Sequence, residues 1–151
     1  MKRVLIVLLV AFALFSQQNT YAGNNFCNLL DKICVQKNIN ADALSDFFQR
    51  VGVNISKAAD LGMYADVFKW LNTPYRLGGK SNKGIDCSNY VFKLMNDCSD
   101  SYATSKQLAD LTEYVDKEEL KEGDLVFFNV NGYGISHVGV YLQDGKFTHS
   151  S

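Results

Sequence analysis

The apolar residues of this chain change their spacing once, and that change fixes what kind of domain it can form. Up to Cys98 they recur every three or four positions: Leu44, Phe47, Phe48 and Val51, then Leu61, Tyr64, Val67, Phe68 and Leu71, then Tyr90, Val91, Leu94, Met95 and Cys98. That is one face of a helix at 3.6 residues per turn. From Leu120 onward the apolar residues come in short dense runs, Leu125–Val130, Ser136–Leu142 and Lys146–Ser150, with Asn131-Gly132-Tyr133-Gly134 as a turn between the first two. Such runs read as strands. Helices first and strands after predict an α+β domain rather than alternating α/β. With 151 residues, 47% of them hydrophobic, the chain can bury one core and not comfortably two.

The helical half divides at its punctuation. Asn24–Val53 is expected to be helical in two pieces, with Phe26, Leu29, Leu30 and Ile33 as the first stripe and Asn40-Ala41-Asp42 as the turn and cap between them. Ala58–Leu71 is a further amphipathic helix, stopped by Asn72-Thr73-Pro74, the only proline in the chain. Tyr75–Gly84 is a glycine-rich loop, but its glycines lack the spacing of a phosphate loop. Asn96–Ser105 is polar and reads as a loop.

The N-terminus carries an export signature. Lys2 and Arg3 precede an unbroken apolar run of 12 residues, Val4–Phe15, and Thr20-Tyr21-Ala22 offers small residues for cleavage before Gly23. The run is shorter than the ~18 residues expected of a membrane span. An uncleaved anchor is the alternative. Loss of residues 1–22 removes two positive charges and takes the net charge from −1 to −3. No block of lysines or arginines suggests a nucleic-acid surface. Export to an oxidising compartment would permit disulfides. Cys27 and Cys34 are too far apart to bridge along a regular helix, and Cys98 could pair with either. The favoured reading is that Cys27, Cys34 and Cys98 are small buried apolar residues.

Cys87 differs from these three. It follows Gly84-Ile85-Asp86 and opens the helical run, with Asp86 as the N-cap candidate. A thiol at a helix N-terminus is expected to ionise readily. The two histidines of the chain, His137 and His149, lie on the last two strands. Their relation depends on hairpin register. A two-residue loop at Asp144-Gly145 puts the rings on opposite faces. A three-residue loop, Gln143-Asp144-Gly145, sets His149 opposite Gly139, on the His137 face, with Gly145 left-handed. Both are allowed. The second is adopted because it gathers one polar cluster and sends Val138, Val140 and Leu142 to the other face. Cysteine and histidine on separate elements are what nucleophilic catalysis requires.

Three stretches of the chain resemble the NlpC-type cysteine peptidases, papain-like enzymes that cut bacterial cell-wall peptides. Leu71–Gly79 is similar to the segment before the nucleophile, and Gly84-Ile85-Asp86-Cys87-Ser88 to the nucleophile motif. Leu120–Phe128, Ser136–Leu142 and Phe147–Ser150 are similar to the strands bearing the other catalytic groups. The resemblance implies N-terminal helices packed on an antiparallel sheet, with Cys87 as nucleophile, His137 as general base and His149 as the third polar residue. It implies substrate binding by Tyr75, Asp86 and Ser88. It also implies a peptidoglycan stem-peptide substrate, cut beside D-isoglutamate by a protein exported to the periplasm or cell exterior.

The domain plan expected is a signal peptide at 1–22, a helical extension at 23–57 and a peptidase domain at 58–151. Family members usually continue with further strands after the position of His149, which leaves two readings open: an incomplete sequence, or a shortened, weak or inactive relative. Asn89 stands where the family has glycine, which predicts a narrower cleft. No cofactor or metal is expected. No stable membrane insertion is expected after signal cleavage. The alternative function is a cell-wall or partner-binding module on a degenerate peptidase fold.

Overall fold

The computed structural model describes residues 3–7 (backbone only), 40–57, 59–95 and 103–151. The expected helix from Asn24, and Cys27, Cys34 and Cys98 with it, lie outside these residues.

Helix α1, Ala41–Arg50, starts where Asn40 accepts a hydrogen bond from the Ala43 N–H at 3.1 Å. Helix α2, Leu61–Lys69, is capped by Asp60, whose Oδ1 accepts from Gly62 N and Met63 N at 2.9 and 3.2 Å. Each cap satisfies amides that the helix cannot, worth ~1 kcal/mol. The two helices pack edge to face through aromatic rings. Phe47 meets Phe68 at 4.7 Å and Phe48 meets Tyr64 at 4.9 Å. Leu44, Phe48, Tyr64 and Phe68 are buried, each contributing roughly 1.5–3 kcal/mol through surface removed from water. After α2 the chain turns through Asn72 in the left-handed region (φ 61°) into Pro74.

The glycine-rich loop is more ordered than its composition suggests. It forms a small hairpin of β2, Lys80–Ser81, and β3, Gly84–Ile85. Gly79 permits this, because a Cβ there would lie 2.4 Å from the Gly84 carbonyl oxygen. Helix α3, Cys87–Leu94, follows directly and packs on α2 and on the sheet. A further helix, α4 (Ser105–Asp110), begins inside the stretch expected to be loop. Its signal is Thr104-x-x-Gln107, a capping box in which each side chain satisfies the other's backbone amide.

The main sheet runs in the order β4-β1-β5-β6-β7, with β1 Arg3–Val7, β4 Glu113–Tyr114, β5 Leu125–Phe128, β6 His137–Tyr141 and β7 Phe147–Thr148. β5, β6 and β7 form the expected antiparallel meander. The sheet as a whole is mixed rather than antiparallel, because β1 lies parallel to both β4 and β5. A strand at residues 3–7 can join β5 only through a long crossover, which permits the parallel direction. These residues belong to the stretch expected as a signal peptide. In a cleaved chain the edge of β5 that they cover would be open. Among the described residues no helix is long and apolar enough to cross a membrane.

One latch ties α2 to the turns that flank β5 and β6. The Glu122 carboxylate accepts from Asp60 N, Tyr64 Oη and Gln143 Nε2 at 2.8, 3.1 and 2.6 Å. Burial, with this carboxylate beside it, pushes the Tyr64 phenol well up.

Candidate active site

The β6–β7 hairpin has the three-residue register. Val140 pairs with Thr148 and Tyr141 with Phe147, and Leu142 N donates to Lys146 O across residues 143–145. Gly145 is left-handed (φ 72°) as expected, and so is Asp144 (φ 54°), so two left-handed residues make the reversal. The register brings the histidines together. His137 Nε2 lies 2.9 Å from His149 Nδ1. Gly139 is what lets the strands meet so closely, since a Cβ there would sit 2.7 Å from the Thr148 carbonyl oxygen and 3.3 Å from His149 Cβ.

Two phenyl rings close over the pair. Phe128 lies 6.0 Å from the His137 ring, Phe147 lies 5.2 Å from His149, and the phenyls meet at 4.9 Å. Burial among them, with His149 alongside, lowers the His137 pKa to about 4. Burial lowers that of His149 as well. Both rings are therefore neutral near pH 7, and one proton is shared along the Nε2–Nδ1 contact.

Cys87 opens α3 and is 7% exposed. Burial pushes its thiol pKa up, and the Asp86 carboxylate adds to this. Three backbone N–H groups, from Val138, Ser88 and Cys87 itself, pull the other way without prevailing. This corrects the expectation of a readily ionised thiol: in so enclosed a site desolvation outweighs the helix N-terminus. The Val138 N–H places the sulfur beside the start of β6, one residue along from His137. Among the described residues, the His137 ring is hydrogen-bonded to His149 and not to the sulfur.

Asp86 organises the turn before Cys87. Its Oδ1 accepts from Ser88 Oγ, Asn89 N and Asn89 Nδ2 at 3.0, 2.8 and 3.0 Å, and its Oδ2 from Gly78 N at 2.9 Å. Asp86 and Ser88 are buried, whereas Tyr75 is 45% exposed. The Asn89 side chain folds back onto this cap, so the bulk expected to narrow the cleft is spent on bracing the helix start. Among the described residues no cluster of His, Cys, Asp or Glu could hold a metal.

The sequence pattern of the NlpC/P60 family matches residues 72–151. The chain belongs to the NlpC/P60 family. It is 40% identical over 93 residues to the "Probable endopeptidase NlpC" of Escherichia coli K12, covering 60% of each chain. It is 32% identical over 112 residues to the murein DD-endopeptidase MepS/murein LD-carboxypeptidase of the same strain, covering 72% of this chain and 57% of the relative. The chain thus spans about three-fifths of the length of these relatives. Among solved structures, an NlpC/P60 family protein from Bacillus cereus matches with a TM-score of 0.52 at 30% identity, over 64% of this chain and 32% of that one. The matched segment contains Cys87, His137 and His149, and with them the NlpC/P60 part of the fold.

Three residues that touch this region were not singled out from sequence. Tyr90 Oη lies 2.6 Å from Thr148 Oγ1, and Ser150 Oγ donates to Ile85 O at 2.9 Å. Tyr90 reads as ordinary helix core in the sequence. Thr148 and Ser150 flank His149, and strand alternation turns them to the opposite face, where a polar pair needs partners.

Proposed function

We propose that this protein is an exported cysteine endopeptidase that hydrolyses peptidoglycan stem peptides, cutting beside D-isoglutamate. The observation that carries the reading is the His137–His149 contact beside the enclosed Cys87, inside a segment that belongs to the NlpC/P60 family. The names of the relatives, endopeptidases of murein among them, supply the substrate class.

In this mechanism His149 occupies Nε2 of His137 and leaves Nδ1 to act on the thiol. His137 takes the Cys87 proton as the sulfur attacks the scissile carbonyl. Because burial favours the neutral thiol and the neutral imidazole, the proton passes to His137 as the sulfur–carbon bond forms, without a free thiolate accumulating first. Backbone N–H groups at the start of α3 hold the oxyanion. His137 then gives the proton to the leaving amine as the C–N bond breaks. Water hydrolyses the thioester, releasing the acid and restoring the thiol. Tyr75 is the exposed member of the expected substrate-binding set. Asp86 and Ser88, whose polar atoms bond within the protein, contribute by shaping the turn the substrate meets.

Purified full-length protein should release new peptides from isolated muropeptides, with masses that place the cut beside D-isoglutamate, and Cys87→Ala should release none. Equal digestion by both would remove Cys87 from the mechanism. A binding module is the second reading, favoured by the absence of a hydrogen bond from His137 to the Cys87 sulfur. Retention on insoluble wall material by wild type and Cys87→Ala alike, with no turnover by wild type, would support it.

A further inference from the structure

His149 stands just past the last ladder pair of β7, a two-residue strand at the sheet's edge. An edge segment so short has few bonds of its own to resist fraying. Yet a third residue that aims a catalytic ring must be held to a fraction of an ångström. The bonds that hold it come from its two chain neighbours. Thr148 bonds Tyr90, three residues after Cys87, and Ser150 bonds Ile85, two residues before Cys87. The residues on either side of the histidine are thus fastened to residues on either side of the nucleophile. Tyr90, Ile85 and Ser150 are buried, so water does not compete for these bonds. Ile85 is itself fixed on its other side, where its N–H donates to Pro74 O and its carbonyl accepts from Arg76 N.

We propose that Tyr90, Thr148 and Ser150 are positioning residues: their hydrogen bonds lock the His149 segment to the nucleophile helix and to β3 just before it, and so set the aim of His137 at Cys87. The proposal rests on the peptidase reading for its consequence, and on geometry for its existence. Tyr90 stays protonated across the working pH range, since burial raises its pKa to about 12, so the clamp holds throughout that range.

The test compares Tyr90→Phe, Thr148→Val, Thr148→Ser, Ser150→Ala and the Tyr90→Phe/Thr148→Val double variant in the full chain. Steady-state kinetics on muropeptide would be paired with imidazole ¹⁵N shifts of His137 and His149. Thr148→Val and Tyr90→Phe should each lower kcat roughly 10- to 100-fold with KM little changed, the scale of a small misplacement. The double variant should be no worse than either single one, and Thr148→Ser should restore the rate. The ¹⁵N shifts should show the His137–His149 bond weakened in Thr148→Val and intact in Thr148→Ser. Variants that lose thermal stability but keep kcat would overturn the proposal and leave these bonds merely structural. Should wild type show no turnover, the peptidase reading fails, and the ¹⁵N shifts alone decide: unchanged shifts in Thr148→Val and Tyr90→Phe would overturn the clamp. If Thr148→Val does not fold, Tyr90→Phe carries the same comparison.

Discussion

At the scale of single residues, the balance between burial and local charge decides the chemistry. His137 is held neutral in the fold to about pH 4, whereas in the unfolded chain it takes a proton below its ordinary value of 6.5. The unfolded state therefore binds the extra proton between those values, and stability falls as pH drops from 6.5 to 4. The loss should be on the order of 2 kcal/mol after allowing for partial exposure. Urea unfolding at pH 7, 5.5 and 4 should show it, with a flatter profile in His137→Ala. Activity should follow the same group, with an acid limb well below the ordinary histidine value. An acid limb at 6.5 would mean that the ring is not desolvated as described. Gly139→Ala makes a sharper test of packing. Its Cβ would press on the Thr148 carbonyl at 2.7 Å and the Phe147 ring at 2.9 Å. Differential scanning calorimetry should register a loss of roughly 1–3 kcal/mol, with activity falling further as His149 is pushed away.

At the scale of elements, the turn into α3 is built around one carboxylate. Asp86→Ala removes the acceptor for four donors at once. Its cost should exceed that of an ordinary cap, about 2–4 kcal/mol by denaturant titration, because the Ser88 and Asn89 donors are left buried and unpaired. Asn89→Gly gives up a single bond to Asp86 and should cost only about 1 kcal/mol. The sequence revealed these elements where local chemistry was strong. The Asn40 cap, the stop before Pro74 and the Asp86 cap were legible, because each depends on a few neighbouring residues, whereas the hairpin's local sequence allowed two registers and the facing of His137 and His149 was needed to choose between them. The hairpin inside the glycine-rich loop was hidden, since it depends on backbone approach at Gly79 rather than on side-chain pattern. Helix α4 was missed although its Thr104/Gln107 box was present, because six residues carry too little periodicity to stand out. The thiol expectation failed for a different reason. A helix N-terminus can be read from sequence, but the enclosure of Cys87 depends on β6 arriving from fifty residues away.

At the scale of the whole molecule, the sheet combines strands from distant parts of the chain, and its site end and its N-terminal edge behave differently. The site end is tied to α3 through Tyr90 and Thr148, and to β3 just before it through Ser150 and Ile85. At the other edge, β5 is covered by β1. Cleavage before Gly23 would remove that cover. Hydrogen exchange on chains 1–151 and 23–151 should then show faster exchange confined to the outward amides of Leu125–Phe128, with His137–Tyr141 unchanged. Faster exchange throughout β6 would mean that β1 supports the site itself. The central claim is that the assembled fold uses Cys87 as its nucleophile. Intact-protein mass spectrometry after rapid acid quench of a muropeptide reaction tests it most directly. The account predicts a transient acyl adduct that maps to the peptide bearing Cys87 and is absent from Cys87→Ala. Turnover that proceeds without an adduct and survives in Cys87→Ala would contradict it.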